Sequence, residues 1–259
     1  MVPNEITHVA IIPPDRLEPN IVKQVADIIN KDAYETRLLL AGTVPRIVAH
    51  YKTAQTAELA ARSLGGLGLA VMVCNDSELR KTYQSHKATA MAFEDRTVVF
   101  RDKAGQTKRM APGEVFLIIK GNIQTRTETE TTRTDKKLNL PATIVTGGIP
   151  IFNKVEQKTK DRSVRAENFL RFYGRTSPEP SVELFQYDLD YSFLGPEIAS
   201  SSLANFNKVV AGIREIFPQA ILDDRLMKLF PMDIPTATVE ESIEINCKLI
   251  YLRHQATAN

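Results

Sequence analysis

The sequence predicts an α+β fold built from two β-rich parts, each with helices of its own. Three observations predict it. Short β-branched runs closed by proline or glycine recur along the chain. Two stretches, Ile21 to Ile29 and Leu203 to Phe217, carry apolar residues at helical spacing. The 259 residues exceed one average domain. Hydrophobic residues make up 43% and charged residues 25%, ordinary values that exclude a wholly disordered, collagen-like or coiled-coil chain.

The elements follow in order. Thr7–Ile12 is a β-branched, apolar run stopped by Pro13-Pro14, a strand and its breaker. Pro19 suits a first helical turn, and Ile21, Val22, Val25, Ile28 and Ile29 then form one apolar face. Tyr34–Leu40 reads as a second strand ended by Gly42, and Pro45–Tyr51 as a third. In the third, Ile47 and Ala49 alternate against Val48 and His50. Thr53 caps a helix whose inner face is Ala57, Ala60, Ala61 and Leu64; Gly65-Gly66 ends it. Leu69–Cys74 is a fourth strand.

Beyond it, Ala88–Phe93, Thr97–Arg101, Thr107–Met110 and Val115–Lys120 read as strands. Ser163–Phe172, Val182–Tyr187 and Tyr191–Leu194 supply further extended or mixed segments. Ser200-Ser201-Ser202 caps a helix with the stripe Leu203, Phe206, Val209, Val210, Ile213, Ile216 and Phe217, closed by Pro218. The tail at 223–259 ends in an alternation, Ile243, Ile245, Cys247, Leu249 and Tyr251 against Glu244, Asn246, Lys248 and Ile250. That period predicts a strand over 243–251.

Strand, helix, strand, strand, helix, strand is the order of a split βαβ unit. Residues 1–80 therefore resemble a ferredoxin-like domain. Pro45–Val73, with Lys52-Thr53 before the Ala-rich helix and Gly-Leu-Gly-Leu after it, resembles small modules of bacterial signalling and regulatory proteins. The strands and closing helix of residues 86–222 resemble a pleckstrin-homology-type split barrel, interrupted by a basic insertion at about 122–165. The resemblances imply an N-terminal sheet with two helices on one face and its other face open or covered by a partner.

Charge is uneven. Residues 120–175 carry 12 basic and 6 acidic side chains, residues 176–259 carry 6 and 12, and the whole chain is +2. In the insertion, Gln124 to Lys137 alternates threonine and charge, the pattern of an exposed edge strand or a mobile polar loop. Some 40 partly flexible residues are expected there. Lys158, Lys160, Arg162 and Arg165, with Lys154, Arg171 and Arg175, are candidates for contact with a polyanion. Phe169, Phe172 and Tyr173 among them are stacking groups on one reading and core or interface anchors on the other. Ile243, Ile245, Leu249 and Tyr251 complete the candidate interaction residues.

The chemistry-bearing motifs are missing. There is no G-x-x-x-x-G-K-[ST], no G-x-G-x-x-G, no G-x-S-x-G and no HExxH. Four histidines lie at least 32 residues apart, so no metal cluster or cofactor site is read from spacing. His8 and His50 fall in the first and third strands, placed to face one another as a structural pair or a proton-transfer or metal pair. Cys74 and Cys247 read as small buried apolar residues of a reducing compartment. Asp188 and Asp190 share a face of an extended segment, a solvated face or a cation site. No apolar run approaches the roughly 20 residues that span a bilayer, and the first residues lack a signal-peptide pattern.

The expectation is a cytoplasmic, non-catalytic protein-binding adaptor, regulator or accessory subunit. A small-molecule-sensing regulator is the alternative, and nucleic-acid binding ranks below it. A protein partner or homo-oligomer is expected, with peripheral membrane contact as a further option and no cofactor or metal.

Overall fold

The computed structural model describes residues 5–14, 16–138, 152–227 and 239–258, the side chains of 125–138, 152–165, 239 and 240 excepted. The fold is mixed α+β, with two sheets and several helices. The chain divides into two compact units, Met1–Ile123 with Glu167–Asn259, and Gln124–Ala166.

The first unit opens with β1 (Thr7–Ile12), α1 (Pro19–Ile29), α2 (Ala33–Leu39), β2 (Arg46–Tyr51), α3 (Ala54–Gly66), β3 (Ala70–Asn75) and α4 (Asp76–Arg80). Pro19 stands in the first turn of α1, and Asn30 takes a left-handed φ of 52° to end it. The Thr53 side chain accepts the Thr56 N–H at 3.2 Å and starts α3. The strand expected over Tyr34–Leu40 is instead the helix α2. Asp32 caps it by accepting the Glu35 N–H at 2.7 Å, with Glu35 in its first turn and Arg37 in its last. Its buried Thr36 and the buried C-cap residue Leu40 are four apart, which is helical spacing.

The first sheet therefore has three strands in the order β2-β1-β3, with both neighbours antiparallel to β1. Val9 and Ile11 of β1 pack with Val22, Val25, Ile29, Val48, Ala57 and Leu64 into one core on the α1 and α3 side. The expected strict alternation of β2 is broken by a bulge opposite Val9/Ala10. Val48 and Ala49 both enter that core, while Ile47 packs against Ala10 and Cys74 on the other face.

The second sheet comprises β4 (His86–Glu94), β5 (Thr97–Asp102), β6 (Thr107–Met110), β7 (Leu117–Leu138), β8 (Phe152–Tyr173), β9 (Pro180–Phe185) and β10 (Ile221–Leu226). Its order is β10-β7-β8-β9-β4-β5-β6, an open sheet, so the split barrel does not close. β10 straddles the start of the expected tail and pairs in parallel with β7, Ile221 opposite Leu117. The extended segment expected at Tyr191–Leu194 is a 3₁₀ turn, Ser192–Glu197. Helix α5 (Ser202–Ile216) is capped by Ser201, which accepts the Ala204 N–H. It buries Phe206, Val209, Val210 and Ile213 against Met91, Phe100, Ile118, Leu170 and Phe172.

The strand expected over 243–251 is part of a 20-residue helix, α6 (Val239–Ala258). Ile243, Cys247, Ile250 and Tyr251 pack against Phe116, Leu117, Ile119, Phe169 and Tyr173 of the large sheet. Leu249, with Ile245, packs against Ala10, Cys74 and Leu79 of the small sheet. Because two sides of one helix are apolar, odd-numbered positions are apolar almost without a break and imitate a strand. The same packing corrects the expectation of a sheet face open or held by a partner: α6 covers it. The first unit is thus layered as α1 with α3, small sheet, α6, large sheet, α5.

The second unit holds the far portions of β7 and β8, adjacent strands of 22 residues each. The backbone over 124–138 and 152–166 is extended. Lys158, Lys160, Arg162 and Arg165 fall on β8, where their side chains are outside the description; Gly147 to Pro150, Pro231 and Pro235 lie outside the described residues.

Candidate functional site

β1 places His8 directly opposite His50 of β2 and opposite Cys74 of β3. The β2 bulge makes this possible. Without it, His50 would share the face of Val48 and point at α1 and α3 rather than at His8. The two rings meet edge to face at 4.8 Å, Nδ1 to Nδ1 at 2.7 Å. His8 Nε2 lies 2.8 Å from Asp76 Oδ1, and Arg80 Nε donates to the same oxygen at 2.9 Å. Four side chains from β2, β1 and α4 thus form one chain of hydrogen bonds.

The proton count follows from the chemistry of the partners. The carboxylate of Asp76 only accepts, so His8 carries hydrogen on Nε2. A neutral His8 then accepts at Nδ1, and His50 donates from its own Nδ1. That leaves the His50 Nε2 lone pair as the free end, on an exposed residue, whereas His8 is buried. Burial, then repulsion from the His8 ring when it is protonated, and the positive charges of Lys31 and Arg80, lower the His50 pKa from 6.5 against an upward pull from Asp76. Burial alone would raise Asp76, but hydrogen bonds from Arg80 and His8 outweigh it and lower its pKa. The arrangement can pass a proton between the surface and the buried imidazole. Among the described residues no group of three His, Cys, Asp or Glu is placed to hold a metal ion.

A second polar cluster lies against the other side of α6. Arg171 of β8 is buried and ion-pairs with Glu183 of β9 at 2.7 Å and Glu244 of α6 at 2.6 Å. Ser85 Oγ donates to Glu183 at 2.6 Å. Burial alone would lower the Arg171 pKa, but the carboxylates of Glu183 and Glu244 around it help raise it. Beside it, burial pushes the Cys247 thiol up to about 11; Cys74 is pushed to about 11 for the same reason, so both stay protonated near neutrality. Lys248 caps α4: its buried Nζ donates to the carbonyls of Leu79 at 2.7 Å, Glu78 at 3.3 Å and Lys81. At the far end of α6, His254 Nε2 is 2.8 Å from Asp223 Oδ2, whose other oxygen accepts the Arg225 N–H. There burial would raise Asp223, but the hydrogen bonds from His254 and Arg225 lower its pKa.

The candidate interaction residues separate accordingly. Phe169, Phe172 and Tyr173 are at most 1% exposed and belong to the core, the anchoring alternative rather than the stacking one. Ile243, Leu249 and Tyr251 are buried on α6 and Ile245 is half-buried. Arg171 is held in its ion pairs and Arg175 lies over the Phe116 ring at 4.8 Å. Asp190 accepts from the Ser192 N–H and hydroxyl, which lowers its pKa. Sequence reading missed Asp76, Arg80, Glu183, Glu244, Lys248 and the Asp223–His254 pair; the only advance signal was the strand placement of the two histidines.

No match was found when the chain was compared with protein-family models, with curated proteins and with solved structures. Among the described residues no helix is long and apolar enough to cross a membrane.

Proposed function

We propose that the chain is a non-catalytic, cytoplasmic binding protein, an adaptor, regulator or accessory subunit, that holds a partner protein through residues 124–166. The supporting observation is that this segment forms a compact unit of its own on two adjacent long strands. It carries 9 basic and 5 acidic residues and a threonine at every second position from Thr125 to Thr131. Strands without an apolar face have little to bury against their own chain, and extended backbone offers main-chain hydrogen bonds to a partner. The excess of cations selects a partner with an acidic surface.

The finer fold reading goes with it. β1 between two antiparallel neighbours, with α1 and α3 on one face, supports a ferredoxin-like unit in which α2 stands in for the edge strand. Strands closed by α5 support the pleckstrin-homology-like reading of 86–222. A small-molecule-sensing regulator is the second reading, favoured by the exposed imidazole of His50 with Lys31 and Arg80 close enough to act on it electrostatically.

The test replaces residues 126–164 by a short turn. The shortened chain is expected to unfold as cooperatively as the full chain, while a stoichiometric partner recovered with the full chain is lost. A partner retained by the shortened chain rules the reading out. Ligand-dependent melting of the purified chain alone favours the sensor. Neutralising Lys158, Lys160, Arg162 and Arg165 together tests the polyanion classes: nucleic acid or anionic vesicles bound at low salt should bind more weakly, with a shallower salt dependence.

A further inference from the structure

Two open sheets have four edges, and each unpaired edge is a template for another strand. Three of the four are blunted. β6 is four residues long and carries Lys108 and Arg109. β10 carries Asp223, Asp224 and Arg225, with Asp223 tied to His254 of α6. β2 carries a bulge, and α2 lies against it, Arg46 donating to the Leu38 carbonyl at 3.0 Å. β3 has none of these devices. Ala70-Val71-Met72-Val73-Cys74-Asn75 has no charge and no proline, pairs with β1 without a bulge, and leaves Val73 40% exposed.

The free hydrogen-bonding groups of that edge can be named. Asp76 N–H donates to the Ile6 carbonyl at 2.9 Å, one residue beyond the Thr7–Asn75 pair. Antiparallel pairing alternates, so Ala70, Met72 and Cys74 direct their backbone groups at β1. Val71, Val73 and Asn75 direct theirs outward. Among the described residues, nothing is bonded to these three N–H groups or to the Val71 and Val73 C=O groups, while the Asn75 C=O, at the N-cap of α4, serves the first turn of that helix.

We infer that β3 pairs antiparallel with β3 of a second copy of this chain, about a two-fold axis at Val73. Val73 then lies opposite Val73 of the second copy, and Val71 opposite Asn75. The outward groups left free on each strand pair with those of the other, and the sheet runs β2-β1-β3-β3-β1-β2 across the axis. A second copy suits this edge because an uncharged strand meets itself without like-charge repulsion, and because a two-fold contact sets identical β-branched side chains together at its centre. Val73 is on the face of Val9, its partner on β1, so the contact extends the α1 and α3 side of the sheet. The inference is independent of the 124–166 reading, because none of its residues belongs to that segment.

Sedimentation equilibrium of the full chain over a wide concentration range tests it. The unchanged chain is expected to dimerise. Val73→Lys sets two ammonium groups against each other and should weaken the dimer by about tenfold or more, about 1.4 kcal/mol, whereas Val73→Thr should retain it. Replacing residues 126–164 by a turn should leave the dimer unchanged. A chain monomeric at every concentration, or a Val73→Lys variant that dimerises as well as the parent, overturns the inference. Hydrogen exchange on the unchanged chain removes any dependence on the variant's folding. The Val71, Val73 and Asn75 amides should gain protection with concentration, and fast exchange of all three in a dimer would equally overturn it.

Discussion

α5 and α6 are both long helices with apolar residues, yet they do different work and look different in sequence. α5 packs one stripe against one face of the large sheet, and its opposite side meets water. α6 packs Ile243, Cys247, Ile250 and Tyr251 on the large sheet and Leu249 with Ile245 on the small one. A one-sided helix displays its 3.6-residue period openly. A two-sided helix fills the gaps in that period, and its sequence takes on a period that belongs to strands. Position between layers, not helix propensity, makes the difference.

The comparison can be broken by experiment. The largest effect should come from deleting residues 239–258. Both sheets would lose cover, and the expected outcome is no cooperative unfolding transition by circular dichroism in urea. Next is Arg171→Met, which strands the buried carboxylate of Glu183 and the half-buried one of Glu244; a loss of about 3–5 kcal/mol is expected from equilibrium denaturation. Leu249→Ala should cost about 2–5 kcal/mol by opening a cavity on the small-sheet side of α6. Leu203→Ala on α5 should stay within about 0.5 kcal/mol, because Leu203 is 49% exposed despite belonging to the helical stripe. A large loss at Leu203 would mean that α5 is also covered on its outer side.

The smallest effect sharpens the α6 side of the small sheet through pH. The folded chain holds His50 below its ordinary 6.5, with His8, Lys31 and Arg80 opposing its charge and Asp76 favouring it. A base whose folded pKa is depressed binds its proton more readily in the unfolded chain. Stability therefore rises with pH between the folded value and 6.5, and falls as pH drops below 6.5. His50→Gln should flatten that slope in urea midpoints measured above and below 6.5. An unchanged slope would assign the dependence to another group.

Legibility followed the same logic of one-sided burial. α1, α3, α5 and most strands could be read because each buries one face. α2 was misread because Tyr34 and Thr36 favour strands, while its actual determinants were a capping Asp32 and two buried residues four apart. β10 was hidden because its buried Asp223 is neutralised by His254, 31 residues away, and no local pattern signals a distant partner. His8 opposite His50 could be anticipated from strand order. Asp76, Arg80 and Lys248 could not, since their roles depend on how β3 turns into α4 and where α6 comes to rest.

Lys248 has a consequence for the order of events during synthesis. It seals the end of α4, 167 to 170 residues earlier in the chain, and its helix follows every element it covers. A nascent chain that has completed both sheets still exposes Ala10, Met72 and Cys74 on one and Phe116, Ile119 and Tyr173 on the other. Until α6 leaves the ribosome, those two apolar surfaces and the uncharged β3 edge are available to any neighbour. The moment of greatest aggregation risk for these two sheets therefore falls after their strands have emerged and before α6 has, and a stalled chain lacking α6 is the species that chaperones would have to hold.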